Sequence, residues 1–224
     1  MIKLLSCLVL ACACLVVADE MAVKTVPVRP SGITSLFNGK DLAGWTKVIT
    51  AEPGNCPDIT WSVAEGFIRC TGKPFGYLMT QQSYADYKLC VEYRWYERTE
   101  QMNSGIFVHK NGPDNFFLPK AIEAQLKEEN AGDFVLLSKA TLNGLENPKN
   151  LRVEKKAASS EKPFGEWNKV EIIVKGDAID VFVNSVLQNS GTGAYADAGN
   201  ICLQSEGGPI EFRNITVEPL PRGR

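Results

Sequence analysis

Five side chains in this sequence could do acid–base work together: Glu92 and Arg94, two residues apart, then His109, then Glu123 and Gln125, again two apart. A spacing of two keeps side chains on one face of an extended strand, because successive residues alternate between faces. A carboxylate can take a proton, an imidazole can carry one near neutral pH, and a guanidinium stays charged and can hold a developing anion. Glu123 or His109, the only histidine of the chain, is therefore the expected base, with Arg94 as the expected anion holder. Gln125 and Asn103 offer amide donors for hydroxyls. Phe107, Lys127, Gln204 and Arg213 complete the expected binding set, together with Glu92.

For these groups to meet, segments 89–96, 106–109 and 121–127 must be neighbouring strands, with Asn103-Ser104-Gly105 as the turn between the first two. In the first, Leu89, Val91, Tyr93 and Trp95 share one face, while Glu92, Arg94 and Tyr96 share the other. The second puts Ile106 and Val108 opposite Phe107 and His109. The third puts Ile122, Ala124 and Leu126 opposite Glu123, Gln125 and Lys127. Alternation thus predicts an apolar face that is buried and a polar face that gathers an acid, a guanidinium and an imidazole.

The remainder of the chain reads the same way. Segments 60–63, 67–70, 77–80, 134–137, 167–175, 178–183, 200–204, 210–213 and 215–218 are expected strands, separated by turn signals such as Glu65-Gly66, Gly176-Asp177 and Asn184-Ser185. No long helical period occurs, and glycine is abundant at 19 residues. The pattern predicts an all-β protein, an antiparallel β-sandwich and in particular a jelly roll. Residues 138–163 are polar and lysine-rich, with Lys149, Arg152, Lys155 and Lys156, and are expected to form a solvated excursion.

The 224 residues are 44% hydrophobic and 22% charged with a formal net charge of -2, which fits one large β domain over residues 33–220. A nearly neutral chain without clustered Lys and Arg provides no field for a polyanion, so no nucleic-acid partner is expected. Residues 1–18 read as a secretory signal: Lys3, an apolar run from 4 to 17, and small residues before Asp19-Glu20. Export to the periplasm or outside the cell follows, with residues 19–32 as a linker and no membrane span expected. Cys12, after Val9-Leu10-Ala11, is a second possibility as a lipoprotein anchor. Cys56, Cys70, Cys90 and Cys202 remain beyond the signal; Cys56 with Cys70 and Cys90 with Cys202 are candidate pairs, and four reduced cysteines are the alternative. Their spacing matches no zinc pattern.

Five short motifs occur in order: Leu36-Phe37-Asn38-Gly39-Lys40-Asp41-Leu42 with Gly44-Trp45; Asn103-Ser104-Gly105-Ile106-Phe107; Glu123-x-Gln125; Gly165-Glu166-Trp167-Asn168; and Ile210-x-Phe212-Arg213-Asn214-Ile215. Together, over residues 34–220, they resemble the 3-keto-disaccharide hydrolase family. The resemblance implies a concanavalin A-like or laminin-G-like sandwich, bacterial export, and action on carbohydrates whose C3 hydroxyl has been oxidised to a ketone. His109 stands where such proteins often carry Arg. A C3 ketone acidifies the C2 hydrogen, so one base can form an enolate that expels the group at C1, and water addition completes a net hydrolysis. No cofactor is required by that chemistry. A divalent ion held by His109, Glu123 and Glu92 is the alternative to Arg94 as enolate stabiliser. Two other functions compete: a two-carboxylate glycosidase, for which Glu92 would have to supply the second acid, and a non-catalytic sugar-binding module with Trp45, Trp61 and Trp167 as stacking platforms.

Overall fold

The structure is a computed structural model that describes residues 26–50, 56–113, 118–143, 145–146 and 152–220. The expected signal segment and its cysteines, Lys149, and the turn residues Pro53, Gly54 and Asp114 lie outside the described residues.

Two antiparallel sheets pack face to face. The back sheet runs, edge to edge, through Val186–Gly191, Ala178–Val183, Asn168–Lys175, Tyr87–Trp95, Ile210–Pro219, Phe67–Cys70 and Trp61–Ala64, with Thr34–Ser35 also paired to Ile210–Pro219. The front sheet runs through Arg152–Val153, Phe134–Leu137, Lys120–Gln125, Gly105–Asn111, Ala198–Ser205, Gly76–Ala85 and Trp45–Ile49. Their inward side chains form one core: Leu89, Val91, Tyr93, Ile172, Val181, Phe212 and Val217 from the back meet Leu78, Ile106, Val108, Ile122, Ala124, Phe134 and Leu203 from the front. Each such side chain, fully withdrawn from water, contributes about 1.5–3 kcal/mol, and the sandwich requires that alternate residues be apolar. The alternation seen in the sequence is therefore the packing requirement itself.

The front sheet carries a second apolar layer on its outward face, formed by Tyr77, Met79, Phe107, Ala121, Leu137 and Cys202. Outward residues of a half-exposed sheet are normally polar, so this face is set apart from an ordinary solvated one.

Several expectations are corrected. Segments 210–213 and 215–218 are one strand, Ile210–Pro219, interrupted by a register shift between Arg213 and Thr216. Val186–Gly191 is a strand at the edge of the back sheet, although its pattern Val-Leu-Gln-Asn-Ser-Gly lacks clean alternation. Residues 57–60 form a single helical turn, Pro57–Thr60. Cys56, Cys70, Cys90 and Cys202 are all free. Cys90 lies on the outward side of the back sheet and Cys202 on that of the front sheet, so the sandwich separates them. Trp45 and Trp61 are core residues, 6% and 1% exposed, and offer no platform. The charged excursion is anchored at its described end, where Arg152 pairs with the buried Asp133 and the Lys155 backbone N–H donates to Asp133 Oδ1 at 2.7 Å.

Candidate active site

The five residues expected to converge are divided among three places. Glu92 and Arg94 belong to Tyr87–Trp95 in the back sheet, and their side chains point outward, away from the front sheet. There the Arg94 Nε donates to Glu211 Oε2 at 2.7 Å, and Arg69 holds the other oxygen of the same carboxylate. Arg213 donates to Glu92 Oε2 at 2.7 Å and lies 3.9 Å from the centre of the Trp167 ring. An open hollow of about 570 Å³ adjoins this layer, lined by Phe67, Glu92, Lys169, Arg213 and Asn214 among others. Among the described residues its main charges answer one another, and none of the unpartnered buried polar atoms lies on the outward side of this sheet. Arg94 is therefore a structural cation of the back sheet. It cannot reach Glu123.

His109 is withdrawn from both layers. Its φ of 55° and the register shift between Val108 and Asn111 form a bulge that breaks the alternation of Gly105–Asn111. The imidazole is fully buried, and neither nitrogen has a hydrogen-bond partner among the described residues. The acids whose charge reaches it are Asp197 and Asp177, the latter in the turn between Asn168–Lys175 and Ala178–Val183 of the opposite sheet. Burial, opposed by those two acids, lowers its pKa to about 4, so the ring is neutral at pH 7. The ligand set His109, Glu123 and Glu92 is not assembled, and no group of three or more His, Cys, Asp or Glu able to hold a metal occurs among the described residues.

What the front sheet does assemble is different. Register places Glu123 beside Phe107, and Phe107 beside Cys202, which pairs with Met79. The next outward row runs Gln125, Gly105, Gln204 and Tyr77; Gln125 pairs with Gly105 and Gln204 with Tyr77, while continuing the antiparallel register sets Gly105 against Gln204. Glu123 leans across into this second row. A Cβ placed on Gly105 would lie 2.2 Å from Glu123 Oε1, so the glycine is the space in which the carboxyl group sits. Ser104 Oγ donates to the Gln204 carbonyl at 2.8 Å and ties the two strands at this level.

A second carboxylate completes the group. Glu206 accepts from Asn103 Nδ2 at 2.8 Å and from the Gln204 amide, and Lys127 on the exposed rim adds its positive charge. Burial raises the pKa of Glu206, while those three partners pull it down. Glu123 is 2% exposed and has none of them: burial pushes its pKa well above the ordinary carboxylate value, and the charge of Glu206 pushes it further. The pair is thus split into a carboxyl group that keeps its proton and a neighbour that gives its proton up first. Glu206 is absent from the expected set, and the signal for it is its place two residues after Gln204, in step with that strand's alternation.

Of the expected binding residues, Asn103, Phe107, Lys127 and Gln204 surround this pair. Gln125 joins them, but its Oε1 accepts from the backbone N–H groups of Leu126 and Lys127, both at 2.9 Å, and so shapes the turn. Arg213 and Glu92 are on the other sheet. Four buried polar atoms on the front face have no partner among the described residues: Tyr77 Oη, Asn103 Oδ1, Glu123 Oε1 and Gln204 Oε1. Buried polar atoms are normally satisfied, at a cost of about 1–3 kcal/mol when they are not. Four on one face make this the candidate site for a polar ligand.

The fold has known counterparts. A Parabacteroides distasonis protein provisionally described as a glycosyl hydrolase superposes with a TM-score of 0.61 at 20% identity, over 85% of this chain and 94% of that one. The Bacillus licheniformis β-glucanase gives 0.59 at 14%, over 86% and 100%. The Bacillus subtilis carbohydrate-binding module CBM66 gives 0.55 at 14%, over 78% and 95%. No curated protein matches the chain. Residues 32–218 match the model of one family, described as the 3-keto-alpha-glucoside-1,2-lyase-like domain.

Proposed function

The chain belongs to the 3-keto-alpha-glucoside-1,2-lyase-like domain family, and on that footing we propose that it is an exported carbohydrate-active enzyme that cleaves 3-keto glycosides by elimination. The observation that carries the reading is the split carboxyl pair, Glu123 and Glu206, among unpartnered polar atoms on the front sheet.

Glu206, ionised first, takes the C2 proton; the C2–H electron pair forms the C2=C3 bond, and the ketone oxygen becomes an enolate. The enolate electrons return to restore the C3 carbonyl, the C1=C2 bond forms, and the C1–O bond breaks. Glu123 supplies the proton that the leaving oxygen requires. Water then adds across C1=C2, its OH to C1. Glu206, whose proton exchanges with water once the double bond has formed, protonates C2, and the proton left from water restores Glu123. The sum is one glycoside and one water giving two products, with both acids regenerated. Glu123, expected as the base, is better suited as the acid, because it is the member of the pair that holds its proton. The neighbouring cation is Lys127, not Arg94.

A two-carboxylate glycosidase is the competing reading, and the same pair favours it. The substrates separate the two. Purified protein incubated with a 3-keto glucoside or 3-keto-trehalose, with the unoxidised parent alongside and each with and without chelator, is expected to cleave only the oxidised sugar. Equal cleavage of the parent would replace elimination by ordinary hydrolysis, and loss of activity with chelator would restore a role for a metal. Export rests on residues 1–18 and is tested by sequencing the N-terminus of the mature protein from the periplasmic fraction.

A further inference from the structure

The elimination leaves one demand unmet. An enolate oxygen needs a donor, and the guanidinium expected to provide it lies on the other sheet. We propose that Tyr77 is that donor, and that its hydroxyl makes the site select a ketone over a hydroxyl at the reacting sugar's C3. The inference rests on the reading of Glu123 and Glu206 given above.

Tyr77 is fully buried on the outward face of the front sheet, and its Oη has no hydrogen-bond partner among the described residues. Its ring packs edge-on against Phe107 with centroids 5.9 Å apart, which fixes the direction of the hydroxyl. Burial raises its pKa far above that of a free phenol, so the proton stays in place and the group is a donor at any working pH. Gln204 lies directly opposite on one neighbouring strand, and Gly105, with the Glu123 carboxyl group above it, is one strand further. At about 4.8 Å between strands the backbone span from Gly105 to Tyr77 is about 10 Å, so the acid and the phenol stand two strands apart on one face.

The inventory of open atoms points the same way. Asn103 and Gln204 each place an amide N–H on Glu206, and the atoms they leave without a partner are the acceptors Asn103 Oδ1 and Gln204 Oε1. Acceptors suit sugar hydroxyls, which donate. A carbonyl cannot donate, and among these unpartnered atoms the Tyr77 hydroxyl is the donor not assigned to a leaving group. A hydrogen bond from a neutral hydroxyl to a developing oxyanion strengthens as charge accumulates, so it favours the transition state over the bound substrate.

The test is Tyr77→Phe, with wild type measured alongside. A buried hydroxyl without a partner gives the fold nothing, so the variant is expected to melt no lower than wild type. Its kcat on a 3-keto glucoside is expected to fall at least about thirtyfold, with KM changed less than about threefold. Unchanged kcat, or a fall in melting temperature that accounts for lost activity, would overturn the role of Tyr77 and leave the carboxyl pair standing. If wild type binds 3-keto sugar without cleaving it, the preference for keto sugar over its parent is measured in both proteins: loss of preference in Tyr77→Phe supports the donor, and retention overturns it. If wild type neither binds nor cleaves keto sugar, the reading of the whole site falls with it.

Discussion

Glu123 occupies the space that a side chain on Gly105 would need: a Cβ there would stand 2.2 Å from Glu123 Oε1. The contact links a motif residue of one strand to the acid of the next, and it gives the glycine a chemical reason rather than a conformational one. Gly105→Ala is expected to fold with some loss of stability, because the displaced atoms belong to one side chain and not to the backbone, but to shift the carboxyl group and lower kcat by about tenfold or more. A circular dichroism melt beside steady-state kinetics checks this; wild-type kcat would show that the placement of Glu123 does not matter.

Glu123→Gln replaces a protonated acid by a neutral amide of the same shape. Turnover is expected to fall by about a hundredfold to ten-thousandfold while sugar affinity stays within a few fold and the melting temperature within a few degrees. Calorimetric titration with a 3-keto sugar checks affinity, and product assay checks turnover. Full turnover would remove Glu123 from the chemistry.

The pH profile should be bell-shaped. Glu206 must be ionised to act as base, so activity rises with pH as it titrates; Glu123 must be protonated to act as acid, so activity falls as it titrates in turn. Both groups have raised pKa values, and the charge of Glu206 contributes to that of Glu123. Removing the charge in Glu206→Gln should cut kcat by about a hundredfold or more and move the alkaline limb of the residual activity to lower pH. An alkaline limb that stays in place would mean the two acids do not interact.

His109 is expected to govern acid stability and not turnover. Its pKa is lowered from 6.5 to about 4, so the unfolded chain binds the extra proton first as pH falls. Stability is therefore whole above pH 6.5 and declines as pH falls from 6.5 through 4, by up to about 3 kcal/mol. His109→Gln should flatten that decline in urea unfolding at several pH values, with kcat at pH 7 within a few fold of wild type. A large loss of kcat in a well-folded variant would return the histidine to the site.

Arg94→Met is expected to cost about 1 kcal/mol, since the pair with Glu211 is 30% exposed on the arginine side and Arg69 still holds the carboxylate. Specific activity should be unchanged, which thermal unfolding and kinetics together check.

The strands were legible because each carries its own face pattern: Phe67–Cys70, Phe134–Leu137 and Ala178–Val183 were read to the residue. Which strand lies beside which was not. Tyr87–Trp95 and Gly105–Asn111 are consecutive strands joined through Asn103, yet the chain crosses the sandwich between them, and alternation says nothing about that crossing. Glu92 and Arg94 were placed with Glu123 for this reason. At His109 a bulge resets the period by one residue, and Glu206 lies just past the end of the strand that carries Gln204. The residues that did converge, Asn103, Phe107, Glu123, Gln125, Lys127 and Gln204, come from strands that pair directly or from the turns that end them.

Elimination starts at C2, whereas displacement starts at C1. A 3-keto glucoside carrying deuterium at C2, cleaved by wild-type protein and followed by mass spectrometry, separates the two. Elimination predicts a rate at least about twofold slower than for the unlabelled substrate, with the deuterium lost to solvent. Cleavage at an undiminished rate with the deuterium still on C2 would contradict it.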